Sequence, residues 1–259
     1  MQELSLWIAT QIITESFPIS SSSHIKIVES ILATFDRDAF LQKLPPHFDD
    51  LLHVPTLVIL AIFFFHRWYP LLRHPLVHKH LLLHSVRNAA VASAITTLFY
   101  ALFHHFEIIS LFPLSIGLLV TASLLLSVRW CSTTYTPYSL PKACILGVVQ
   151  GLALLPGISR LASTYVIARW LQLSPQHALE TSFAIQAPLI IAAMARGILC
   201  AVNSVHLHQV LNATTGLVMI ISSIVAYQGL MMVSALARSH RLWLFSYYMI
   251  IPLTVWLLL

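Results

Sequence analysis

The sequence predicts an all-α, polytopic membrane protein. Three observations carry that expectation. Mean hydropathy is +0.83 and only 9% of residues are charged, where a soluble chain carries about 25%. Runs without Asp, Glu, Lys or Arg recur at 51–66, 88–106, 108–128, 143–159, 181–195, 197–237 and 242–259. Several approach or exceed the roughly 20 residues that cross a bilayer as a helix, and the short alternating segments of a membrane barrel are missing. Finally, the charges are segregated: seven of the nine acids lie in the first 50 residues, and eleven of the fourteen Lys and Arg follow them.

The first apolar run, Leu4–Thr14, follows no basic residue and contains Gln11, so no cleavable signal is expected. Cys131, Cys144 and Cys200 are dispersed without metal or disulfide spacing and read as small packing residues. The stretch 66–87 holds Arg67, Arg73, Lys79 and Arg87 and no acid. It is expected to be a cytoplasmic loop facing lipid headgroups. Its five histidines are too irregularly spaced for a metal site, and no nucleic-acid partner is expected.

From that anchor, 88–103 runs outward, HHFE at 104–107 lies outside, and 108–128 returns to Arg129. The segment 130–141 then links two halves, about 1–129 and 142–259, of one integral membrane domain covering 1–259. At the far end, 209–236 finishes inside at Arg238 and Arg241, and 242–259 exits. Between Lys142 and 209 the crossings must be odd in number, yet 143–171 and 181–195 offer two. The first contains Pro156 and Gly157 back to back. Proline removes a helix donor and glycine loosens the backbone, a break tolerated at membrane depth only in protein or beside water. It is therefore expected to be re-entrant.

The first half holds a counterpart. QIITESFPISSSSH, 11–24, places Gln11 and Glu15 before Pro18 and a serine run; PGISRLAST, 156–164, follows Gln150. Paired interrupted apolar segments mark the midplane site of inverted-repeat membrane proteins. The fold expected is thus an inverted repeat with two broken segments and about six transmembrane helices.

The residue types at these breaks suit an anion with many oxygens. Gln11 and Glu15 share a helix face, as do Ser21 and His24. A helix restarting after Pro18 offers free N–H groups and a positive end. Arg160 presents a planar fork of donors, and an arginine at membrane depth points to function. Glu15, opposite in sign to this surface, would hold a divalent cation or take a proton.

At these residues the sequence resembles the undecaprenyl-diphosphate phosphatase family associated with bacitracin resistance. The similarity includes FDDLLHVPT, 48–56, and ETSFAIQAP, 180–188, in matching order. It departs at Gln11, where the family also uses Glu, leaving a single carboxylate, and at Leu161 and Ala162, which replace Ser-Gly. The resemblance implies removal of the terminal phosphate from a 55-carbon polyprenyl diphosphate in the bacterial inner membrane, at a site facing the periplasm or exterior. It further implies a divalent cation, Mg²⁺ or Ca²⁺, and allows a homodimer. The residues expected to carry the reaction are Glu15, Ser21, His24 and Arg160, with Gln11, Ser20, Ser22, Ser159, Ser163 and Thr164 binding substrate and Glu15 also holding metal. Ser21 or a water is the nucleophile, with His24 or Glu15 the base. A polyprenyl-phosphate transporter with a broken-helix site is the alternative.

Overall fold

The computed structural model describes residues 2–35, 41, 44–45, 47–132, 134–202, 210 and 212–259. Every regular element among them is helical. The chain opens with α1 (Gln2–Glu15) and α2 (Ser21–Thr34), then α3 (Phe48–Leu51), α4 (His53–Arg73) and α5 (Lys79–His105). After α6 (Ile108–Leu111) and α7 (Leu114–Ser127), an extended linker leads to α8 (Leu140–Leu152) and α9 (Arg160–Trp170). The long α10 (Pro175–Val202) and α11 (Ala213–Arg238) follow, then α12 (Phe245–Tyr248) and α13 (Ile250–Leu258).

Among the described residues, four helical stretches are long and apolar enough to cross a membrane: Phe48–Pro70, Lys79–His105, Pro175–Ala201 and Ala213–Arg238. Their surfaces are inverted relative to a soluble bundle. Leu98, Leu217, Ile220 and Ile224 are exposed, whereas Asn88, Thr96 and Thr215 are fully buried. Polar groups turned inward find protein partners: the Thr96 hydroxyl donates to the carbonyls of Ala92 (2.9 Å) and Gly147 (3.1 Å). Gly147 makes that approach possible, since a Cβ there would lie 2.8 Å from the Ala92 carbonyl oxygen. Small residues that let helix backbones close up are the usual membrane solution.

The two proline-marked segments are helix–break–helix pairs, as expected. At 1.5 Å per residue, the 14-residue α1 and α2, like the 13-residue α8 and 11-residue α9, each reach only about 17–21 Å. None spans a hydrocarbon core of roughly 30 Å. Their packing is reciprocal. In the first half α5 packs on α8 and α7 packs on α9; in the second half α11 packs on α1 and α13 packs on α2. Each half thus covers the broken pair of the other.

The second break is held from α7. Gly157 sits at φ +87°, in the left-handed region, and a Cβ on it would meet the Leu114 carbonyl oxygen at 2.4 Å. Gly117 faces it, with a Cβ position 1.9 Å from the Pro156 carbonyl oxygen. The Thr121 hydroxyl closes the turn by donating to the Gly157 carbonyl (2.9 Å) and accepting from the Ser159 N–H (3.0 Å). The first break rests on α11 and α12 through Phe17, which fills the space over Gly229 and meets Phe245 edge-on at 5.9 Å.

One expectation needs correction. The basic stretch 66–87 is largely not a loop: α4 runs to Arg73 and α5 starts at Lys79, leaving 74–78 between them. α4 continues past the apolar run to Arg73 in its last turn, where a cation is favoured by the dipole. Arg67 pairs with Glu180 of α10 at 3.0 Å. The linker is pinned by Arg169, 1% exposed, which donates to the Leu173 and Ser132 carbonyls and lies 5.4 Å from the Tyr135 ring centre. Most of the connection expected between α10 and α11 lies outside the described residues.

Gly157→Ala is expected to lower stability by more than about 2 kcal/mol, from the left-handed backbone plus the clash with Leu114. Reversible unfolding in detergent micelles measures it; an unshifted midpoint would contradict the packing of α7 on this turn.

Candidate active site

Glu15, Ser21 and Arg160 occupy the ends of three helices that converge. Glu15 is the last residue of α1, Ser21 the first of α2, and Arg160 the first of α9. The Ser21 hydroxyl donates to Glu15 Oε2 at 2.8 Å. Arg160 Nη2 lies 3.4 Å from Glu15 Oε1, joining residues 145 apart in sequence. The carboxylate is 7% exposed and the guanidinium 26%, so this pair is shielded far more than a surface ion pair and is less screened by salt.

Both helix starts are capped by serine. Ser20 Oγ accepts from the Ser23 N–H (3.4 Å) and lies 2.7 Å from the Ser23 hydroxyl. Ser159 Oγ accepts from the Ala162 N–H at 3.2 Å. Each cap satisfies one of the free donors of its first turn and leaves others pointing forward. Ser20–Ser22 and Ser159–Leu161 border one cavity of about 170 Å³, with Glu15 and Gln186 in its wall. Two positive helix ends and an arginine thus face a shared space, opposed by one carboxylate. A second, larger cavity of about 450 Å³ adjoins it, sharing Ser21, Ser22 and Arg160 and including Gln11 and His53.

Of the residues expected from sequence, Glu15, Ser20, Ser21, Ser22, Ser159 and Arg160 therefore meet at the smaller cavity, and Gln11 lies on the larger. Three residues are placed elsewhere. The Thr164 hydroxyl is turned back onto the carbonyl of Arg160 (2.7 Å) and that of Leu161 (3.4 Å), the local bond that Thr makes inside helices. Ser163 is 2% exposed, its hydroxyl has no partner among the described residues, and it borders neither cavity. It does not replace the hydroxyl that Leu161 lacks. His24 is held by the Ser20 carbonyl at 2.7 Å and Tyr248 OH at 3.0 Å, its ring stacked on that tyrosine.

Sequence reasoning missed His53 and Gln186. His53 Nδ1 lies 4.0 Å from Glu15 Oε1, with the His53 side chain 10% exposed. Its signal was available: a polar residue opening a long apolar helix, two positions before Pro55. Gln186 stands likewise two positions before Pro188, inside α10. Asp50 is not part of the site; it takes Arg196 of α10 in a two-pronged pair (2.7 and 3.1 Å) and fixes α3 on that helix.

With this geometry in hand, comparison with known proteins is decisive. The family described as Bacitracin resistance protein BacA matches residues 9–254. The chain belongs to that family. It is 31% identical to the undecaprenyl-diphosphatase of Methanococcus maripaludis, covering 96% of this chain and 95% of the relative. Against the undecaprenyl-diphosphatase of Treponema denticola identity is 30% over 93% and 91% of the two chains. For that of Korarchaeum cryptofilum it is 28% over 92% and 91%. The match spans both broken pairs and the helices that cover them.

Arg160→Gln and Glu15→Gln, singly and together, are expected to show a coupling of about 1–3 kcal/mol in unfolding free energy, as for contacting charged groups with little solvent access. Additive single effects would mean that the two side chains do not meet.

Proposed function

We propose that the chain hydrolyses a polyprenyl diphosphate, the 55-carbon undecaprenyl compound named for its relatives, to the monophosphate and inorganic phosphate. The observation that carries this reading is the convergence of two helix N-termini and Arg160 on one cavity that also holds a carboxylate–serine pair. Two helix ends and a guanidinium neutralise the oxygens of a diphosphate. Phosphoryl transfer asks mainly for such placement and charge neutralisation.

In this mechanism Ser21 Oγ attacks the terminal phosphorus and its proton passes to Glu15 Oε2, the group it already faces. The bond from that phosphorus to the bridging oxygen breaks, and the lipid monophosphate leaves with the proton that Glu15 took. Water then attacks the phosphoserine; the freed carboxylate takes its proton and returns it to Ser21 Oγ as the serine–phosphate bond breaks, and inorganic phosphate departs. Arg160, relieved of Glu15 by the arriving anion, balances the charge on the phosphoryl oxygens. His24, tied to the Ser20 carbonyl and Tyr248, holds the serine turn rather than moving the proton.

A divalent cation fits only as a companion of the substrate. Among the described residues Glu15 is the single carboxylate on the smaller cavity, and both of its oxygens already face donors. Among the described residues no cluster of three or more His, Cys, Asp or Glu is arranged to hold a metal. One carboxylate plus substrate phosphates is a common Mg²⁺ environment, and Glu15 with the amide of Gln11 would provide the protein side. When bound, the cation would neutralise charge on the diphosphate oxygens.

The reciprocal packing supports an inverted repeat of 1–129 and 142–259. In it Leu114–Trp130 and Leu242–Leu258 serve as fifth and sixth spans beside the four long ones. Arg73, Lys79, Arg129, Lys142 and Arg238 stand at helix ends on the cytoplasmic side by the positive-inside bias. The position of His53, at the opposite end of α4 from Arg73, supports a site facing the exterior.

Purified protein in detergent is expected to release phosphate from undecaprenyl diphosphate. Arg160→Ala is expected to lower kcat by about 10²–10³, and chelation to lower it reversibly, with Mg²⁺ or Ca²⁺ restoring it. Lipid movement across vesicles without phosphate release would instead identify a transporter. Ser21→Ala is expected to abolish turnover, and acid quenching of the wild type to trap phosphoserine; turnover retained in Ser21→Ala assigns the attack to water.

A further inference from the structure

Gln186 sits on α10, and what surrounds it is unusual. Pro188 has no N–H, so the helix ladder is interrupted in this turn. The Ile185 carbonyl accepts from Gln150 Nε2 of α8 at 3.2 Å. That bond grips α10 one residue before Gln186 and fixes the rotation of the helix there. Gln186 is only 4% exposed, and among the described residues no group accepts from its Nε2. A buried donor left unpaired is costly, and it persists where something absent from the free protein completes it.

The side chain borders the 170 Å³ cavity that holds Glu15, Ser21 and Arg160. The neighbouring wall from Leu154, Leu155, Ile158 and Leu161 is apolar and carries no side-chain donor. A phosphate seated between the two helix ends would meet donors on the α2 and α9 sides and a hydrophobic surface elsewhere, apart from this amide.

We propose that Gln186 is a further substrate-binding residue, its amide N–H donating to a phosphate oxygen held in the cavity. The proposal rests on the hydrolase reading for the identity of the substrate, while the anion contact itself is independent of turnover. As an uncharged donor Gln186 adds a hydrogen bond without adding positive charge beside Arg160, so it contributes to binding rather than to the charge that develops during transfer. Its removal is read in KM, with kcat little changed.

The test uses the full-length protein in detergent, with inorganic pyrophosphate as probe in thermal shift and undecaprenyl diphosphate as substrate. Gln186→Leu fills the same space without a donor. It is expected to fold with an unchanged or raised melting midpoint, to weaken pyrophosphate affinity and to raise KM roughly ten- to hundred-fold, the loss of one hydrogen bond to a charged group. Gln186→Glu keeps the shape and adds like charge to the anion; it is expected to weaken pyrophosphate further and serves if the leucine variant does not fold. Wild-type pyrophosphate affinity and KM in a folded variant would overturn the proposal, as would failure of pyrophosphate to stabilise the wild type. If the wild type binds pyrophosphate through Gln186 yet releases no phosphate from the lipid, the hydrolase reading fails and the contact stands.

Discussion

Backbone groups freed by a helix break cannot be left bare in an apolar medium, and this constraint organises the molecule. Each break releases donors at the start of a new helix and acceptors at the end of the old one. The N-caps Ser20 and Ser159 and the hydroxyl of Thr121 satisfy some of them inside the protein. Turn bonds take others, such as the Ile13, Thr14, Val149 and Gly151 carbonyls. Breaking two helices and bringing their restarts together thus sets Ser20–Ser22 and Ser159–Leu161 around one cavity.

Covering the breaks demands close approach, and the glycines supply it at a few points. Gly117 and Gly157 let α7 lie against the second turn, while Gly229 makes room for Phe17 at the first. Because the covering helices come from the opposite half of the chain, neither broken pair is complete alone. The site and the fold share one interface. Glu15 and Arg160, the two charges at its centre, meet only when both halves are docked.

The electrostatics are balanced in the same place. The guanidinium and two positive helix ends would be unfavourable together without an anion. In the free protein Glu15 provides that charge while its other oxygen holds Ser21. In the proposed reaction a diphosphate takes over that role toward Arg160, which leaves the carboxylate to the serine.

The helical membrane class and both breaks were legible in the sequence, because apolar run length, proline and glycine act locally; it suggested about six spans, where four described helices are long enough to cross. Glu15, Ser21 and Arg160 also stood out there, since polar residues beside breaks in apolar runs have few structural explanations, and the structure brings all three to one cavity. Less was legible around them. The 66–87 stretch reads as a loop by charge, yet helices continue through most of it. Thr164 and Ser163 sit in the right motif but turn away, because a helix shows different sides to the cavity and to its neighbours. His53 and Gln186 lie far along the chain from either break and enter only by way of α4 and α10. The sequence by itself determined that two apolar helices would be interrupted beside polar clusters. Tertiary structure decided which side chains share the cavity, because facing depends on the rotation of each helix and on the packing of one half against the other.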